Sequence, residues 1–145
     1  MDRAFFCSWF RGFEKGLDEM DAETAGRFLR RCAEQCAATG VLQAQLRLCR
    51  AVGGDRDAFY RRLGETGRVR GEVLVPGKEY AVCFPDCACD LHTEGGVNTP
   101  RLCECSRQSI LYVAETVWKG CRVEVIPEGT CLSGTAECRF RVVFL

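Results

Sequence analysis

A chain of 145 residues, 47% of them apolar, is long enough to bury one hydrophobic core and ordinary enough in composition to form a single domain. Its 20 basic and 20 acidic residues cancel, and no basic run is long enough to track a phosphate backbone, which argues against nucleic acid as a partner. No apolar run approaches the roughly 18 residues of a membrane span, and Asp2-Arg3-Ala4-Phe5-Phe6 turns polar too soon for a secretory leader, so a cytoplasmic location off the membrane is expected.

Residues 1–67 read as helices. Phe6, Trp9, Phe10, Phe13 and Leu17 recur at helical spacing, which predicts an amphipathic helix with these side chains in the core. Asp21 is placed to cap a second helix with an apolar face at Ala25, Phe28, Leu29, Cys32 and Cys36, ended near Gly40. A third is expected over Val41–Arg50, stopped by Gly53-Gly54. A fourth follows from Asp55 to Leu63.

Residues 68–145 read as the sheet half. Val69, Gly71, Val73 and Val75 alternate with Arg70, Glu72 and Leu74, then Pro76-Gly77 signals a turn, which predicts a β-hairpin over Val69–Phe84. Pro85–Cys105 reads as an irregular loop. Ser106 reads as the N-cap of a helix through Trp118, stopped by Gly120, with a second hairpin over Arg122–Leu145. The order of elements predicts one α+β domain with an antiparallel sheet of about four strands, covered on one face by helices.

Twelve cysteines in a reducing compartment point to metal binding or thiol chemistry more than to disulfides. Two pairs frame the loop, Cys87-Ala-Cys89 and Cys103-Glu-Cys105, with thirteen residues between them. Converging, they would supply the four thiolates of a closed zinc site. An iron–sulfur cluster is the alternative, and no cofactor, with the thiols merely packed, is the second. Cys103 and Cys105 stand just before the predicted helix, where its N-terminal dipole lowers a thiol pKa. Cys32 and Cys36, one helical turn apart, are secondary candidates, as are Cys83 and His92, the one histidine of the chain. His92 reads first as a solvated loop residue, and alternatively as a ligand or as a base for a thiol. Nucleophile-elbow, phosphate-loop and dinucleotide glycine motifs are absent.

The helix Ile110–Trp118, then Gly120-Cys121-Arg122-Val123-Glu124-Val125, then Cys131-Leu132-Ser133-Gly134 and Cys138-Arg139-Phe140 resemble the end of the vinyl-reductase (4-vinyl reductase) small-molecule-binding domain family. The Cys-X-Cys pairs look like those of its cysteine-rich bacterial and archaeal branch, related to aminothiazoline-carboxylate hydrolase-like proteins. The resemblance covers about the last sixty residues and implies a small-molecule-binding α+β domain used as a sensor or assembly module. It also implies a metal or ligand role for Cys131 and Cys138, although Gly134, three residues after Cys131, departs from the family's turn spacing. The expected function is a metal-binding sensor or ligand-binding module, with a small-molecule ligand and, compatibly, a second copy of the chain in a homodimer. A hydrolase using a cysteine or metal-bound water is the first alternative, and a thiol redox protein is the second.

Overall fold

The computed structural model describes residues 2–87 and 89–145; Ala88, the spacer of the first Cys-X-Cys pair, lies outside them. Helices come first: α1 (Arg3–Glu19), α2 (Ala22–Ala38), α3 (Val41–Ala51) and α4 (Arg56–Arg61). Strands β1 (Arg70–Val75) and β2 (Glu79–Phe84) follow, then a short α5 (Asp90–Thr93) and the long α6 (Cys103–Val117). Strands β3 (Val123–Gly129) and β4 (Cys138–Phe144) close the chain. The fold is α+β, with a four-stranded antiparallel sheet in the order β1-β2-β4-β3. No helix among the described residues is long and apolar enough to cross a membrane.

Capping chemistry sets several of these boundaries. Asp21 accepts from the Thr24 N–H at 2.7 Å to start α2, and Asp55 accepts from Ala58 at 3.1 Å to start α4. Gly120, at φ 86°, supplies the left-handed residue that ends α6. Ser106 is not a cap. It lies inside α6, which begins three residues earlier by continuing a 3-10 turn at Pro100–Leu102 capped by Thr99. Cys103 and Cys105 are therefore within the first turn of the helix rather than ahead of it.

The main core lies between the inner face of the sheet and helices α4 and α6. Phe59, Tyr60 and Leu63 pack with Tyr80, Val82, Phe140, Val142 and Phe144. Period-2 alternation aims Phe140, Val142 and Phe144 of β4 inward and Arg139 and Arg141 outward. Arg139 meets Glu72 at 2.5 Å and Glu128 at 3.2 Å, and Arg141 meets Glu79 at 3.6 Å, forming an ionic lattice across the outer face. The buried Cys83 lies under Arg139, 3.5 Å from its guanidinium.

Gly71 is where α4 and β1 cross. A Cβ there would stand 2.1 Å from the Tyr60 carbonyl oxygen, so only glycine permits this approach. Nearby, Asp57 accepts from the Gly77 N–H at 2.8 Å and the Tyr80 hydroxyl at 2.6 Å, tying α4 to the first hairpin.

Two expected helix faces turn out differently. The buried stripe of α2 is Ala25, Leu29, Ala33 and Ala37, mostly small residues that let α2 lie close against α6, while Phe28, Cys32 and Cys36 face solvent. On α1 only Leu17 is fully buried, and Trp9 remains 60% exposed. The aromatics of α1 stack instead on one another and on Phe28: Phe6–Phe10 at 4.7 Å, Phe10–Phe13 at 5.6 Å and Phe13–Phe28 at 6.2 Å.

Candidate functional site

Residues 94–102 are held against α1 and its end by their own contacts. Val97 and Leu102 are buried, the Thr99 hydroxyl donates to Asp18 at 2.5 Å, and the Asn98 N–H donates to Glu14 at 3.1 Å. Arg101 donates to the Met20 carbonyl, and the Cys7 thiol donates to the Glu94 carbonyl at 3.4 Å. The His92 ring pairs through Nδ1 with the Val97 carbonyl at 2.8 Å, which assigns it a role in bracing the segment.

This segment brings the thiols together in an unexpected division. Residues i and i+2 of an α-helix point about 200° apart. Cys103 therefore turns toward the end of the sheet, beside Thr130 and within electrostatic reach of Cys138, Cys87 and Cys89. Cys105 turns toward α2, packing on the cluster of Leu17, Ala25 and Leu29, with Cys89, Cys32 and Cys36 as its thiol neighbours. Cys131 adjoins Cys138, whose sulfur accepts from the Cys131 N–H at 3.2 Å, and it also feels Cys87. Eight of the twelve cysteines, on α2, the loop, α6 and the final turn, thus lie within electrostatic reach of at least one other thiol. Cys83 stays apart on the outer face of the sheet, and Cys121 sits against Arg56 at 3.3 Å. As placed, no group of three or more His, Cys, Asp and Glu side chains among the described residues is drawn tightly enough to hold a metal ion.

Burial governs the acidity of these thiols. It pushes Cys105 up to about 12, with Cys89, Cys32 and Cys36 adding like-charge repulsion. Cys131 is pushed up to about 11 by burial and then by Cys138. Cys89 and Cys103 also rise, chiefly by burial, opposed by backbone N–H groups of Leu91 and His92 at Cys89 and by the Thr130 hydroxyl at Cys103. Desolvation and thiol crowding act in the opposite direction to the helix dipole expected to lower Cys103 and Cys105. Beside them, Glu104 loses solvation, yet Arg107 at 2.7 Å and Gln108 at 2.9 Å hold its carboxyl below the usual range.

A second feature lies on the other side of α6. A cavity of about 250 Å³ opens between α3, α4, α6 and the first hairpin. Its walls are apolar, with Phe59, Leu63, Val82, Phe84, Ile110 and Val113 among them, and Gln45, Arg68 and Ser109 add polar groups. Sequence reading did not foresee Arg68 or Thr130, which carry no motif and gain their roles only from the packing of distant segments.

No family model matches the chain, and no curated protein does. Among solved structures, a trafficking protein particle complex subunit 3 from Naegleria fowleri, covalently bound to palmitic acid, is similar at 13% identity over 99% of this chain and 92% of that chain. The TM-score is 0.47, too low to establish a shared fold.

Proposed function

We propose that this chain is a small-molecule-binding module of the vinyl-reductase type, with a zinc ion held on its thiol-rich side. The observation that carries the reading is the cavity: apolar walls with a few polar groups are the usual composition of a ligand site. At about 250 Å³ it suits a small ring-bearing molecule with one hydrogen-bonding end, met by Gln45, Arg68 or Ser109. Zinc is assigned to four thiols: Cys103, its neighbours Cys87 and Cys138, and Cys131, which adjoins Cys138. Four thiolates make a closed site, so its role is to fasten the loop, the start of α6 and the final turn together, beside a binding site rather than a catalytic one.

The test is direct binding of phenol and indole, read by calorimetry and thermal shift, to the wild type and to Ser109→Trp. The larger side chain enters the cavity from a half-buried position on α6. Saturable binding by the wild type and its loss in the variant are expected. A wild type that binds neither probe, with a variant indistinguishable from it, would remove the cavity from the argument.

A further inference from the structure

We propose that the buried end of the apolar cavity recognises a carbonyl group: the Trp118 indole N–H and the Tyr60 hydroxyl converge on one oxygen of the bound molecule, which makes the ligand a small aromatic ketone or aldehyde. The proposal rests on the cavity reading above and adds the chemistry of its inner end, which Gln45, Arg68 and Ser109 do not supply.

The groups lining the cavity differ in depth. Val41 is 45% exposed, and the Arg68 side chain is 72% exposed and already paired with Asp86, so these mark the mouth. Tyr60 and Trp118 line the same cavity at 3% and 8% exposure. Trp118 Nε1 is buried and has no hydrogen-bond partner among the described residues. A buried donor without an acceptor is costly, and native structures rarely keep one without a reason. The Tyr80 hydroxyl is spent on Asp57 at 2.6 Å. Tyr60, stacked on Tyr80 with ring centroids 4.2 Å apart, makes no hydrogen bond through its own hydroxyl among the described residues.

Ring geometry brings the two groups to one place. Tyr60 and Trp118 both pack edge-on against Phe59, at 5.0 and 5.2 Å, and both against Phe144 at 6.4 Å. The indole N–H lies toward the phenol oxygen without reaching hydrogen-bond geometry. Arg56 steadies this arrangement, its guanidinium 3.8 Å from the Phe144 ring centre and 5.4 Å from that of Trp118.

An indole nitrogen can only donate. Burial pushes the Tyr60 phenol well above its usual range, so at neutral pH its proton is also available to donate. Two donors are matched by a carbonyl oxygen, which offers two lone pairs and carries no hydrogen. A hydrocarbon of the same shape leaves the N–H unpaired, and the discrimination comes from that difference.

The experiment is calorimetric titration of the full chain with acetophenone and with α-methylstyrene, in which a CH2 group replaces the carbonyl oxygen at nearly the same shape. Wild type, Trp118→Phe and Tyr60→Phe are compared. Both substitutions keep an aromatic ring, and Tyr60→Phe removes a single oxygen. The wild type is expected to prefer acetophenone roughly tenfold, and each variant to lose most of that preference with α-methylstyrene affinity held within about twofold. The carbonyl stretch of bound acetophenone, read by infrared difference spectroscopy, should lie below its position in an alkane and move back up in both variants. Should Trp118→Phe not fold, the wild-type ratio and Tyr60→Phe decide. Equal or inverted affinities in the wild type, or a preference kept in full by either variant, would overturn the proposal and leave the cavity reading standing. So would a wild type that binds phenol or indole but not acetophenone. A wild type that binds none of the four probes would remove the cavity reading and this proposal together.

Discussion

Replacing Gly71 with alanine is the sharpest test of how the cavity wall is built. The new methyl carbon would sit 2.1 Å from the Tyr60 oxygen, 2.9 Å from its carbonyl carbon and 3.1 Å from Leu63 Cβ. The nearest obstacle is backbone, so no rotamer change relieves it. The end of α4 must back away from β1 by about 1 Å to reach an ordinary carbon–oxygen separation. That shift acts on the Tyr60–Tyr80 stack, with ring centroids 4.2 Å apart, and on the 2.6 Å bond from Tyr80 to Asp57. Overpacking a core typically costs ~1–3 kcal/mol, and a clash against fixed backbone belongs at the upper end or beyond, about 3–4 kcal/mol. Urea unfolding should show that loss as a lower midpoint at unchanged slope, and the melting temperature should fall by roughly 10 °C. Tyr60 and Leu63 line the cavity, so probe affinity should fall with stability. Gly12→Ala on α1, with nothing within 4 Å of its Cβ, is the control and should be neutral or stabilising by up to ~1 kcal/mol. A Gly71→Ala protein within about 0.5 kcal/mol of wild type would refute the close-approach argument.

Acid should act through Asp57, whose pKa the Tyr80 hydroxyl and the Gly77 N–H depress. A carboxyl depressed on folding contributes stability that is present above its unfolded pKa and lost as pH falls through the folded one. Acid unfolding should thus begin below about pH 4, and in Asp57→Asn stability should fall less steeply over that range, checked by circular dichroism from pH 6 to 2. Alkylation should sort the thiols: Cys105 and Cys131, raised to about 12 and about 11, stay protonated at pH 8 and react slowly, and the exposed Cys32 and Cys36 are modified first. Mass spectrometry of timed iodoacetamide reactions would show the order, and early labelling of Cys105 would contradict it.

Sequence reasoning reached both hairpins because strict alternation around Pro76-Gly77 and along Cys138–Phe144 has no competing periodicity. It reached the starts of α2 and α4 because an aspartate cap is a local chemical event. It misjudged the face of α2 because it weighted large apolar residues, while the tight packing on α6 selects Ala25, Ala33 and Ala37. Ser106 was misleading for a related reason: helix start is decided upstream, by Thr99 capping a 3-10 turn that flows into α6. That three-residue shift decides which way Cys103 and Cys105 point, so the division of the thiols was not legible from their spacing. Pro85–Cys105 reads from sequence only as an irregular loop, yet Val97, Leu102 and Thr99 are buried against neighbours that no local pattern reveals.

Strand order has a consequence for how copies of this chain meet. The outer strands of the sheet are β1 and β3, and each is irregular at its pairing: the register shifts between Val73 and Val75 on one and between Pro127 and Gly129 on the other. Pro127 also lacks an N–H to offer an incoming strand. Kinks and a missing donor make poor templates for adding a fifth strand, which is how soluble sheets guard against growing into ribbons and fibres. Continuation of this sheet from one copy into the next is disfavoured at both ends, and any pairing between copies would fall to the helical side of the molecule.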